Sequence, residues 1–137
     1  MSGPPGLRAL VPSAIHPPFS AYSHGTVVPA GCRLVVCSGQ LGIAADGAVP
    51  EGAEAQSALA LANLEAILAA DGLDRCAVVR LNAYVTAREH LAGYMAARNA
   101  FFAAVVPPPA STLMIVSGFA RPEFLVEIEC IAAGASA

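Results

Sequence analysis

The strongest constraint on this chain is a set of segments that are apolar at nearly every position. Residues 33–38 (RLVVCS), 111–116 (STLMIV) and 124–132 (FLVEIECIA) are mostly apolar, with Glu127 and Glu129 the one polar alternation among them. A strand with one wet face alternates apolar and polar residues, whereas a strand covered on both sides need not. Two helical patterns separate these segments. Over residues 52–71, Leu61, Leu64, Ile67 and Leu68 recur at three- and four-residue spacing, and Gly72 supplies a stop signal. Most other positions in that stretch are alanine, so the helix can pack closely on more than one side. Residues 88–102 form the second helix, stopped by Pro107-Pro108-Pro109. Residues 78–85 between the helices read as a strand, with Arg80, Asn82 and Tyr84 on alternate positions.

Earlier in the chain, residues 26–28 and 33–38 read as two strands joined through Pro29-Ala30-Gly31 as a hairpin. Residues 39–54 form a turn-rich connector, sharpest at Asp46-Gly47. The first 20 residues are a proline-punctuated, irregular arm. The order β-β-α-β-α-β-β over 1–137 predicts a single α+β domain, with two helices on one face of a sheet of about five strands. Its other face is either wet or covered by a neighbouring subunit, and the apolar strands favour the second.

Composition narrows the chemistry. The 137 residues are 56% hydrophobic and 12% charged, and all seven basic residues are arginine. Without lysine there is no Schiff base, no lysine-anchored pyridoxal phosphate and no Walker-A site. A net charge of −3 argues against a nucleic-acid partner. A membrane partner is disfavoured too, because no run of about 18 uncharged apolar residues occurs. The N-terminal prolines interrupt any export signal, which predicts a cytoplasmic chain whose four cysteines are buried, reduced thiols. No metal site is expected, since His16, His24 and His90 are scattered and no close Cys or His pair exists.

Several blocks together resemble the RidA (YjgF) family of reactive-intermediate deaminases, from about Tyr22 to Ala132. They are Tyr22-Ser23-His24, Ser38-Gly39-Gln40-Leu41, Gln56 with Asn63-Leu64, the run from Val79 to Val85, Pro109-Ala110-Ser111-Thr112, and Leu125-Val126-Glu127-Ile128-Glu129. The resemblance implies a chorismate-mutase-like fold and a homotrimer with three small-molecule clefts between subunits. Deaminating members hydrolyse enamines and imines such as 2-aminoacrylate to 2-keto acids and ammonia, with no cofactor or metal. By resemblance, Tyr22, Ser38, Gly39 and Ser111 enclose the ligand, and Glu127 holds or polarises the attacking water.

One position departs from the pattern. Deaminating members carry an arginine where this chain has Ser111, and that arginine grips the substrate carboxylate with two parallel hydrogen bonds. A hydroxyl cannot replace a charge-assisted fork. Met95 stands roughly where those members offer a polar residue from the second helix. The sequence therefore predicts a less cationic, more apolar cleft for a less anionic substrate, with weak or absent 2-aminoacrylate deamination. A non-hydrolytic role, binding a metabolite or catalysing a cyclisation or condensation, is the alternative.

Other residues carry two readings each. Glu127 and Glu129 lie two apart on a strand, facing one side about 6.6 Å apart. Either they perturb one another as an acid–base pair, or they pair with Arg80 or Arg33 on neighbouring strands. Tyr22 presents its hydroxyl to a ligand or caps the hairpin. Ser38-Gly39-Gln40 is a ligand-facing backbone or merely a turn. His24 reads as structural. Arg121, just before the Glu127 strand, is a substrate-binding substitute for the missing cation or a surface ion pair, and Arg98 on the second helix is a further candidate for that role.

Overall fold

The structure, a computed structural model, describes residues 3–136. Strands β1 (Arg8–Leu10) and β2 (Gly25–Val27) pair antiparallel as a small sheet of their own. The main sheet contains β3 (Arg33–Val36), β4 (Gln40–Leu41), β5 (Val78–Val85), β6 (Ala110–Ile115) and β7 (Val126–Gly134). Its order is β3-β7-β5-β6, with β4 also paired to β7. Helices α1 (Ala53–Ala69) and α2 (Leu91–Phe101) lie on one side of it. The β5–β6 pair is parallel and needs a crossover, which α2 supplies; β7 runs antiparallel to β3, β4 and β5.

Alternation decides which side chains meet the helices. On β7, Val126, Ile128, Cys130 and Ala132 are buried against Leu61, Leu64 and Leu68 of α1 and Tyr94 and Ala97 of α2. The intervening Glu127, Glu129 and Ile131 face the opposite side. Close helix packing depends on Gly93, where a Cβ would come within 2.8 Å of the Glu54 backbone nitrogen. No helix is long and apolar enough to cross a membrane among the described residues.

Several expectations need correction. The predicted hairpin does not form, because β2 pairs with β1 while β3 pairs with β7. Pro29 has no N–H to give a ladder, and Gly31 at φ 84° redirects the chain. Thr26 Oγ1 donates to Val79 O at 2.8 Å, tying β2 to the start of β5 instead. The N-terminal arm is not wholly irregular, since the proline-free stretch between Pro5 and Pro12 supplies β1. The connector contains β4. Cys37 and Cys130 are buried, but Cys32 and Cys76 are only half-buried. The second sheet face is uncovered within one chain, leaving Leu34 (55%) and Val36 (73%) exposed.

Two polar residues hold the layers in register. Gln56 on α1 is 2% exposed. Its Nε2 donates to Pro50 O (3.1 Å) and Glu123 O (2.9 Å), while Oε1 accepts from Leu125 N (2.9 Å). One amide thus anchors both the connector and the entry to β7. Arg75, in a 3-10 turn before β5, donates from Nε to Glu65 Oε2 (2.7 Å) on α1 and from Nη1 to Phe101 O (2.9 Å) on α2. The hydrogen bond from Arg75 holds the Glu65 carboxyl below its ordinary value, against a smaller opposing effect of burial.

Gln56→Leu leaves two carbonyls and one N–H without partners, and chemical denaturation should show a loss of about 3 kcal/mol; an unchanged midpoint would refute this anchoring role. Glu65 has its pKa lowered by folding, so its contribution is present above the ordinary 4.5 and fades as pH falls through the folded value. Glu65→Gln should therefore cost stability at neutral pH and flatten the acid limb of the stability profile, read from melts across pH 2–7.

Candidate functional site

The residues singled out in the sequence fall into two groups on opposite faces of the sheet. The first sits where β3 crosses to β4. Gly39 packs directly on Glu127: a Cβ there would come 2.9 Å from the Glu127 Cδ and collide with the carboxylate itself. Only glycine allows the backbone this close to the acid. Leu41 is in register with Glu127, which brings Ser38 and Gly39 alongside β7. Gln40 donates from Nε2 to Ser38 O at 3.4 Å.

The two strand glutamates differ in what occupies them. Tyr84 Oη donates to Glu129 Oε1 at 2.9 Å, and that bond, with burial and the two nearby carboxylates, raises the Tyr84 pKa. The expected arginine partners go elsewhere: Arg80 donates to Thr112 Oγ1 (2.8 Å) and Arg33 to Asp71 Oδ2 (2.8 Å). Among the described residues no side chain donates to Glu127 within the chain.

The second group lies on the helix side, between α2, β6 and the N-terminal segment. Phe19, Ser20, Tyr22, Met95, Arg98, Ser111 and Leu113 line a pocket of about 350 Å³, within the usual range for small-molecule sites. Tyr22 reaches it because Ser23 is bound to the start of β6. Ser23 N donates to Pro109 O (3.2 Å) and Ser23 Oγ to Pro108 O (2.6 Å). The Tyr22 ring packs edge-on between Phe19 (5.8 Å) and His24 (5.9 Å). His24 in turn donates from Nε2 to His16 O at 2.8 Å, a structural role.

Arg121 is not in this pocket. Its Nε pairs with Glu123 Oε1 at 3.0 Å and its guanidinium covers the Phe124 ring at 4.6 Å. Arg98 is in it, so the pocket does contain a cation. Tyr94, fully buried, has its hydroxyl without a hydrogen-bond partner among the described residues. Burial pushes that hydroxyl up to about 12, opposed by the charge of Arg98 and by the side chains of Ser111 and Arg98. Sequence reasoning passes over Tyr94 because its place in a helical apolar pattern marks it as core.

Within one chain the two groups cannot touch the same small ligand. Ser111 is in register with Leu81, which faces the helices, and Glu127 with Tyr84, which faces away. That places them on opposite faces, separated by roughly 10 Å along the strands and two strand spacings across.

Comparison with known proteins supplies a context for this arrangement. The pattern of the family described as Endoribonuclease L-PSP matches residues 13–134. YyfB of Yersinia pestis, a protein of unknown function of the conserved Rid family, is 32% identical with TM-score 0.80; 92% of this chain and 97% of that one are covered. PA3499 of Pseudomonas aeruginosa, also of unknown function, is 32% identical with TM-score 0.65, covering 93% and 92%. E. coli TdcF, solved with bound serine, is 27% identical with TM-score 0.70, covering 91% and 94%. No curated protein matched. The mixed sheet with two helices on one face is the chorismate-mutase-like fold of the YjgF proteins.

Proposed function

The chain belongs to the Endoribonuclease L-PSP family, which is the RidA/YjgF family, and from this we propose that it hydrolyses an enamine or imine in a cleft between subunits. The observation carrying the proposal is the Gly39–Glu127 juxtaposition, a carboxylate with no side-chain donor among the described residues beside a backbone stripped of side chain. One such half-site, with Ser38, meets the Tyr22–Ser111 pocket of a neighbouring chain in a homotrimer. Exposed Leu34, Val36 and Met114 on the open sheet face supply the apolar surface for that assembly.

The chemistry follows from the groups present. An enamine tautomerises to its imine, and water adds to the electrophilic C=N carbon. Glu127 takes a proton from that water as the C–O bond forms and passes it to the nitrogen, giving a carbinolamine; it then takes the carbinolamine O–H proton as the C=O forms and gives it to the nitrogen as the C–N bond breaks. A ketone and ammonia leave, so one water is consumed and no redox partner is needed. Tyr22 and Ser111 offer hydroxyls to orient the substrate. E. coli TdcF, at 27% identity, is solved with bound serine, a small amino acid, which supports a small-molecule ligand.

The family description names a ribonuclease, but the charge of this chain does not favour RNA. Net charge is −3, and three of its seven arginines pair with carboxylates. Phosphate-backbone binding needs free, clustered cations.

Glu127→Gln keeps the shape and removes the base. Turnover of imino acids generated in situ should fall by about a hundredfold or more while product binding persists. Unchanged turnover removes Glu127 from the chemistry, and a wild type that binds ligand but hydrolyses none of a broad imine panel supports the metabolite-binding or condensing alternative. Light scattering at micromolar concentration should give three times the 13.8 kDa of one chain; a monomer would refute the intersubunit site.

A further inference from the structure

Arg98 is a buried cation with no anion. It is 4% exposed. Its one side-chain hydrogen bond among the described residues runs from Nη2 to the neutral Asn99 Oδ1 at 3.0 Å. The Nε–H has no acceptor among the described residues. Three other arginines are answered by carboxylates: Arg33 by Asp71, Arg75 by Glu65, Arg121 by Glu123. No carboxylate answers Arg98 among the described residues. Burying a charge in that condition is strongly unfavourable unless something compensates it.

Its surroundings indicate what would do so. The Tyr94 hydroxyl, also buried and unpartnered, adjoins the guanidinium, and Ser111 adds a second hydroxyl from β6. Arg98 and Ser111 line the 350 Å³ pocket, whose other walls include the apolar Phe19, Met95 and Leu113, while Tyr94 stands buried behind them. No carboxylate stands among the residues lining this pocket, and one small anion would answer the guanidinium. The guanidinium fork matches a carboxylate in shape and charge.

We propose that Arg98 is the carboxylate-binding residue of this pocket, supplying from α2 the cation that Ser111 does not supply from β6. The substrate class is a small monocarboxylate with an apolar chain, the carboxylate on Arg98 and the chain against Phe19, Met95 and Leu113. This rests on the reading of the pocket as the substrate's, and it replaces the expectation of a less anionic ligand. A minimal acid such as 2-aminoacrylate leaves the apolar walls unfilled, whereas a branched or longer chain fills them.

The test uses binding alone, with 4-methyl-2-oxopentanoate and its methyl ester as probes, titrated calorimetrically into the full-length protein. Wild type should favour the acid over the ester by about thirtyfold or more. Arg98→Gln should abolish that preference by weakening the acid and leaving the ester unchanged, and Arg98→Lys should retain part of it. Arg88→Gln, which removes the same charge from an exposed position, should change neither affinity. Equal wild-type affinity for acid and ester, or no binding of the acid, overturns the inference, as does undiminished acid binding by a folded Arg98→Gln. The wild-type comparison stands even where Arg98→Gln fails to fold. Because no turnover is measured, acid binding through Arg98 in a chain that hydrolyses no imine would uphold this inference and sink the hydrolytic reading.

Discussion

Strand β7 is the member on which the rest of the architecture depends. It pairs with β3, β4 and β5 at once and presents Val126, Ile128, Cys130 and Ala132 to the helices. A slip of one residue would turn Glu127 and Glu129 into that core and expose the apolar set, so its register is strongly specified. The position of Glu127 is thus a by-product of core packing. Gln56 adds a second lock by holding the Leu125 backbone just ahead of the strand.

A sheet with helices on one side necessarily sends alternate side chains to two environments. Ser111 and Arg98 share the helix side, while Glu127 and the Ser38-Gly39 backbone share the other. A reaction using both requires a second chain, and the uncovered apolar residues of β3 and β6 are suited to receive one. On the proposed function, assembly and active site become a single problem, with each protomer contributing one half of a cleft.

Polar satisfaction distinguishes several structural groups from candidate functional ones, although Ser57 Oγ and Asn82 Oδ1 are unpartnered away from either half-site. Arg75, Glu65, Gln56 and the Tyr84–Glu129 pair all have partners within the chain. The Tyr94 hydroxyl and the Arg98 Nε do not, and Glu127 receives no side-chain donor among the described residues. Buried polar groups in native proteins are mostly hydrogen-bonded, and those left open invite a reason. Here Arg98 and Glu127 lie at the two half-sites.

The two helices and strands β5, β6 and β7 are legible in the residues because their signals are local, carried by helical spacing and strand hydrophobicity. Gly39 and Glu127 are each legible as site residues through the family resemblance, whereas their direct contact emerges only on folding. The hairpin expectation fails because strand pairing is nonlocal: β2 and β3 look like neighbours along the chain, yet β7 offers β3 a longer partner. Arg121 and Arg98 are both candidates in the sequence, and nothing local separates them. Only folding shows that Arg121 spends its charge on Glu123, two residues away, while α2 carries Arg98 into the pocket beside Ser111.

The sequence by itself determined the α+β class, the two helices, that Glu127 and Glu129 share one face of β7, and the absence of an arginine at position 111, since each depends on residue identity and short-range periodicity. Tertiary structure alone decided that the site divides across the sheet and that a cation reaches its helix-side half. Both depend on which distant segments lie together, and packing settles that through burial and hydrogen-bond satisfaction summed over the whole chain.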